Sequence, residues 1–283
     1  MSFEEERMKK WAGLIAILVV MCLPLKIISA APAEQLAAQW APVLYLADQS
    51  DGMAAPQNVF TTVNFDLDWR LNNNWYNLRF YPLEKAMYYS VVECETHYLL
   101  GYYQYYPRYA GGRGHEHDMT GILAAVKKTA DGAGQLDMLV TFSNQRWQSW
   151  DGNKVRVENG HPLLNVKGET HEIHACVKNR TLLQTSSVYA VGAGDQLKVH
   201  TGYRLIPLAQ LWEQRQDIGQ GRIFARWGYF DSYNAVKVAA PWGWNYREFN
   251  WLANPGELIQ RFRGRHVTAC NYLSNPYQVD AIE

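Results

Sequence analysis

The sequence predicts a mainly β fold: a single β-sandwich domain with short peripheral α-helices. Segments with a helical apolar period are brief, whereas segments that read as strands are numerous. No internal repeat and no long linker divides the chain. It also carries 18 Tyr and 11 Trp among 283 residues, rings that suit pleated, half-buried strands and fill cores. Hydrophobic residues make up 48% and charged residues 19%, which is the balance of a folded globule rather than a disordered chain. Lys plus Arg equals Asp plus Glu at 27 each. That parity argues against a nucleic-acid surface, which needs an excess of basic side chains to displace counterions.

The N-terminal stretch predicts a signal peptide over residues 1–30, leaving the β-sandwich domain at 31–283. Lys9 and Lys10 precede the apolar run "WAGLIAILVVMCLPL", and "ISAAPA" supplies small residues for cleavage after Ala30. Met8 begins the same layout. The run from Trp11 to Leu25 is shorter than the roughly 20 residues of a membrane span, so a secreted or periplasmic product is expected. Cys22 follows Met21, not a small residue, which disfavours a lipid attachment site. Cys94, Cys176 and Cys270 remain after cleavage, enough for one disulfide and one leftover thiol. Their spacing leaves three pairings open and excludes a CxxC metal knuckle.

Along the domain, "AEQLAAQW" reads as a short helix, followed by Pro42 and a strand over Val43–Leu46. "TTVNFDLDWRLNNNWYNLRFYP" is an Asn/Asp-rich loop anchored by its apolar residues, with Asp66 and Asp68 as ordinary loop carboxylates. "AMYYSVVECETHYLLGYYQYYP" is the strongest strand signal, a strand buried on both faces and ended by Pro107. "TGILAAVKK" and "QLDMLVTFSNQ" flank a hairpin turn at "TADGAG". A strand pair surrounds Gly168 in "HPLLNVKGETHEIHACV", and "SSVYAVG" and "QLKVHTGYRLIP" add strands. Helices are predicted from Pro207 in "PLAQLWEQR" and in "NPGELIQRF", where Asn254 caps, Pro255 comes first and Glu257 stands third.

The chemistry concentrates in "GGRGHEHDMTG". His115, Glu116, His117 and Asp118 are residue types that bind zinc or harder divalent cations. In a regular strand His115 and His117 share one side, with Glu116 and Asp118 on the other. Gly111, Gly112 and Gly114 permit a less regular path. The hydrolase spacing HxHxDH fails at Met119 and Thr120, HExxH fails as well, and no GxSxG is present. A second cluster, "GETHEIHAC", holds Glu169, His171, Glu172 and His174. His171 and His174 face apart if strand-like, which argues against both binding one ion; the reading is an ordinary partly buried imidazole, with completion of the first site from a neighbouring strand as the alternative.

"YYPRYAGGRGHEHDMTG" resembles the GHRHDWE heptapeptide region of the necrosis- and ethylene-inducing peptide-like proteins. It is also similar to their broader relatives, named after a yeast vacuolar-sorting protein. "LAAQWAPVLYL", "VNFDLDWRLNNNWYN", "YYSVVECETHYLLGYYQYYPR", "HPLLNVKGETHEIH" and "KVAAPWGWNYREFNWLANPGEL" follow in the family's order, over most of residues 34 to 278. The resemblance implies a secreted β-sandwich cytolysin in which a divalent cation, calcium or magnesium, helps engage glycosylated lipid head groups. Of the family's four ligand positions His115 and Asp118 match, while Tyr109 and Thr120 replace an Asp and a Glu. Residue type points instead to zinc, with Glu116 and His117 as further ligands. Candidate ligand contacts are Tyr109, Arg113, His171, Trp242 and Trp244, the two Trp having a packing alternative.

Three readings follow. One is an exported glycan- or lipid-head-group-binding, membrane-active protein. The second is a metal-assisted hydrolase, with His115, His117 and Asp118 on an ion and Glu116 as base. The third is a structural relative whose site has decayed. The sequence sets no oligomeric state.

Overall fold

The computed structural model describes residues 32–47, 56–112, 114–143, 146–178, 186–192, 201–216, 218, 228–230, 237–244, 251–263 and 270–278. The predicted signal peptide and Arg113 lie outside them. The chain opens with helix α1 (Ala33–Trp40), which buries Leu36, Ala37 and Trp40, and turns into strand β1 (Val43–Ala47). A loop containing one helical turn, α2 (Asn74–Asn77), leads to the longest strands of the fold.

The stretch expected as one long strand is two. β2 (Ala86–Cys94) and β3 (His97–Tyr109) form an antiparallel hairpin that turns at the exposed residues Glu95 and Thr96. The turn falls in "ECETH", which has no Gly, Pro or Asn to mark it and lies between long runs of rings and β-branched residues. β3 is buried on both faces, as expected. Leu99, Tyr103 and Tyr105 join a core beneath the helices, while Tyr102 and Tyr106, also buried, belong to the opposite face. Nor does Pro107 end the strand. It falls opposite His117, between the pairs Tyr106–Asp118 and Arg108–Glu116. His117 has a left-handed φ of 61°, so the ladder is already interrupted where Pro lacks its N–H.

β4 (His115–Lys127) and β5 (Gln135–Ser143) make the predicted hairpin, and β6 (Arg146–Asp151) continues the meander to a free edge. The chain then adds β7 (Val157–Glu158), β8 (His161–Lys167), β9 (Ile173–Ala175), β10 (Ser186–Val191) and β11 (Thr201–Pro207). α3 (Leu208–Glu213) follows directly, then α4 (Pro255–Arg263) and the short β12 (Tyr272–Ser274). The hydrogen-bonded order is β6-β5-β4-β3-β2-β11-β10-β1-β8-β7, with β12 on β2 and β9 on β8.

This sheet folds back on itself into a sandwich, as side-chain contacts across the gap show. Ile173 N–H donates to Ser143 Oγ at 3.3 Å, joining β9 to β5. Phe60 sets its ring against Tyr106 of β3, Tyr189 of β10 and Tyr203 of β11. The Tyr203 hydroxyl donates to Pro42 O at 2.6 Å, and the Tyr102 hydroxyl to Ala37 O at 2.8 Å. The outer face of β2–β5 is covered by α3, α4 and residues 240–244 and 251–252, with Trp242, Trp244, Trp251 and Ile259 in the core.

Among the three open cysteine pairings the structure selects Cys94–Cys270, leaving Cys176 as a buried free thiol. Burial pushes that thiol up to about 12, so it stays protonated and unreactive at neutral pH. No helix among the described residues is long and apolar enough to cross a membrane.

Candidate functional site

The "HEHD" residues begin β4, and a single backbone angle divides them. A left-handed residue inside a strand shifts the alternation of the residues around it. Here His117 is that residue, so the expected split of His115 with His117 does not occur. His115 and Asp118 lie on the side of Tyr106 and Tyr109, whereas Glu116 and His117 face the α2 loop and the helix-side core.

On the first side, His115 stacks on its cross-strand partner Tyr109, ring centroids 4.6 Å apart and nearly parallel. Its Nδ1 lies 2.9 Å from His117 O and 3.2 Å from Glu116 O. Carbonyl oxygens only accept, so Nδ1 carries the proton and Nε2 of the neutral ring keeps its lone pair. Asp118 Oδ2 accepts from His171 Nδ1 at 2.7 Å. His171, in the β8–β9 connection, is itself held by a parallel stack on Tyr106 at 3.6 Å and by the edge of Tyr109 at 6.1 Å. One histidine of the second cluster thus touches the first, His171 through Asp118, whereas His174 meets Gln148 and Glu172. His171 Nε2 is fully buried with no hydrogen-bond partner, a group whose desolvation costs about 1–3 kcal/mol unless water or a ligand meets it. Burial, and then the charges of Asp118 and Glu172, raise the Tyr109 phenol above its ordinary value, so that hydroxyl stays a neutral donor at the site.

On the second side, Glu116 and His117 are both fully buried, with His117 Nε2 4.0 Å from Glu116 Oε2. Glu116 Oε1 accepts the Trp75 backbone N–H at 3.0 Å. His117 Nδ1 pairs with the Tyr105 hydroxyl at 2.7 Å, and that hydroxyl also accepts from Asn74 Nδ2 at 2.7 Å. Asn74 Nδ2 reaches Val63 O as well. These are clamps on the α2 loop. Asp66 is buried in the same loop, accepting from Asn77 Nδ2 at 2.6 Å and from Asp68 N–H at 3.1 Å. The expectation of an ordinary surface carboxylate at Asp66 is corrected: its oxygens close the loop. Tyr105→Phe is expected to cost about 1–3 kcal/mol, because it strips a partner from two buried groups. Urea unfolding measures the loss, and faster proteolysis within residues 63–81 shows where it acts.

Among the described residues no three His, Cys, Asp or Glu side chains gather as a metal-ligand set. The four-residue ligand set is therefore corrected to an outward pair, His115 and Asp118, with His171 bracing Asp118. The hydrolase arrangement loses its geometry with it, since His117 and Glu116 lie across the sheet from His115. Thr120 is buried with its hydroxyl unpartnered. Trp242 and Trp244 are core residues on the helix side, so their packing alternative holds. Gly114, φ 62°, gives the chain its approach to His115; a Cβ there would meet the Trp75 ring at 3.2 Å and Tyr109 O at 3.3 Å. A separate groove of about 880 Å³ along β5 and β6 contains Trp150, Asp137 and Asp151 and none of the predicted residues. Its carboxylates engage His97 and Lys154, each at 3.4 Å.

Sequence reasoning missed the bracing partnership of Tyr106 with His171 and the clamp of Tyr105 on His117. The repeated "YYQYY" held a signal for both, since alternate rings must face the two sides on which the "HEHD" residues divide.

Fold and side chains together describe a β-sandwich protein in which His115 and Asp118 lie on one side of β4 and Glu116 and His117 on the other. No protein-family model matches the chain, and no curated protein matches its sequence. Among solved structures it is similar to NLPPya in complex with mannosamine, at 14% identity over 77% of this chain and 88% of that one, TM-score 0.42. It is similar also to the necrosis- and ethylene-inducing protein 2 from the causal agent of cocoa's witches' broom disease, at 15% identity over 55% and 75%, TM-score 0.33. A third is the non-toxic HaNLP3 protein, at 12% identity over 69% and 85%, TM-score 0.38. These are likenesses of overall fold at low identity, and the functional argument rests on the side chains.

Proposed function

We propose that the protein is exported and binds a glycan or a lipid head group at the His115–Asp118 face, with a divalent cation shared between protein and ligand. The observation that supports this is the outward pair itself: His115 Nε2 keeps its lone pair while Asp118 is braced by His171. One imidazole and one carboxylate are too few oxygens for a cation that prefers six or more. They fit a softer ion such as zinc, with water and ligand oxygens filling the remaining positions. Tyr109, raised above its ordinary pKa and stacked on His115, stands ready to donate to a ligand oxygen.

Metal analysis of the purified protein tests this, alongside a His115→Ala, Asp118→Ala double variant. One ion per chain is expected in the parent and none in the variant, with calorimetric binding of amino sugars or phosphorylated head groups lost in parallel. Equal metal content and equal binding in both proteins would overturn the reading and favour a site that has decayed.

A further inference from the structure

We propose that residues 63–81 form a membrane-docking loop that sets its apolar tips into the interface of an anionic bilayer. This goes beyond the reading above, because it concerns different residues and needs no cation. Six large hydrophobic side chains are exposed among the described residues, and four of them belong to this loop: Leu67 at 85%, Phe80 at 66%, Tyr76 at 53% and Tyr81 at 39%. Exposed apolar groups scatter singly on ordinary surfaces, so such a concentration marks an interaction site.

Hydrogen bonds and ring contacts at adjacent residues tie the four positions into one loop. Leu67 follows Asp66, whose carboxylate holds Asn77; Tyr76 precedes Asn77; and Phe80 N–H donates to Asn77 O at 2.9 Å. Phe65 sets its ring edge-on to Tyr81 at 6.3 Å. Beneath them the loop is fixed by buried Val63 and Leu71, by Asn74, and by the bond from Trp75 N–H to Glu116. A rigid polar base thus presents the apolar tips outward, with Leu67 held in the left-handed region at φ 64°.

The bilayer is the occupant that this chemistry fits. Leu67 is branched and aliphatic, which gives a sugar no flat ring to stack on. Tyr76 and Tyr81 pair an apolar body with a polar tip, the form enriched at membrane interfaces. The exposed charges on the loop are Arg70 and Arg79, and the Arg79 guanidinium lies over the Phe80 ring at 4.7 Å. With that ring among the acyl chains, the cation stands at phosphate level. Nearby Glu84 is engaged by Arg204 through two hydrogen bonds. The loop also borders the paired site, since Trp75 abuts Gly114 and carries the Arg108 guanidinium over its ring at 4.0 Å.

Flotation of the purified full chain with phosphatidylcholine vesicles, with and without phosphatidylserine and with a chelator present, tests the proposal. The parent is expected to float with phosphatidylserine vesicles in a salt-sensitive manner. A Leu67→Asp, Phe80→Asp variant is expected to lose about tenfold or more in partitioning. Arg70→Gln with Arg79→Gln is expected to erase the preference for phosphatidylserine. All four positions are exposed, so unchanged melting curves show that the variants fold. With the chelator present no divalent cation can bridge a head group to the protein, so flotation under that condition reads the loop alone and separates failure here from failure of the head-group site. Absence of flotation by the parent, or equal flotation by the Leu67→Asp, Phe80→Asp variant, would overturn it.

Discussion

Replacing both Cys94 and Cys270 by alanine is expected to lower stability by about 3–5 kcal/mol, read as a shift of the urea midpoint. The bond joins residues 176 apart in sequence, so the loop it closes is long and its removal frees a large part of the unfolded ensemble. In the folded state Cys94 is buried at the end of β2, and its bond partner fixes the C-terminal segment. α4 lies against the bond so closely that a Cβ on Gly256 would fall 2.5 Å from Cys270 Cβ. The Tyr272 hydroxyl accepts Gly256 N–H at 2.9 Å, and Tyr272 pairs with Cys94 in the sheet. Reductant should reproduce the loss in the parent and have no effect on the double variant. Cys176→Ala provides the control, keeping the sensitivity to reductant. Coincident midpoints for parent and double variant would show that the bond contributes nothing.

Trp244→Ala is expected to cost about 3–5 kcal/mol, in the range of large-to-small core truncations. The indole is almost fully buried, packs on Tyr103, Phe142 and Trp251, and donates Nε1–H to Ala239 O at 2.8 Å. It also covers Gly121, where a Cβ would meet the ring at 2.9 Å. Its truncation therefore empties a site that rigid strands cannot collapse to fill. Below its melting temperature the variant should bind ligand as the parent does, while His115→Ala should show the reverse pattern. Lost binding by folded Trp244→Ala protein would return this residue to the ligand site.

The contrast between these residues shows what was legible. Strand positions followed from apolar periodicity, and β1, β4, β5, β8, β10 and β11 lie where the patterns indicate. The turn at Glu95 and Thr96 was not legible, because "ECETH" lacks the Gly, Pro or Asn of a turn and its polar residues read as solvent-facing positions of one continuing strand. Strand pairing was beyond reach as well: β1 runs parallel to β8 across more than a hundred residues, and no local signal encodes so distant a partner. Without that pairing, Asp118 could not be matched with His171. "HEHD" was readable from residue identity as a candidate site. Its division was not, since it turns on the φ of His117, an αL conformation that a non-glycine residue adopts only when its surroundings demand it. Tyr105, Phe230 and Glu116 supply those surroundings. Leu67, an apolar residue between two aspartates, was visible as an oddity and now stands among the apolar tips of its loop.

The left-handed residue in β4 has an evolutionary consequence. Because it sends adjacent letters of one short motif to opposite sides of a sheet, the two halves of "HEHD" are open to different kinds of change. His115 can drift toward a new ion or ligand while the scaffold stays intact, since it and its stacking partner Tyr109 are only half-buried, and Asp118, also half-buried, is held only by the need of buried His171 for an acceptor. Glu116 and His117 answer to the architecture, and substitutions there are filtered by folding before any ligand is met. Lineages built on this strand would therefore diversify in recognition at alternating rates within four residues, and an alignment that scores the motif as one block would average a fast pair with a slow one.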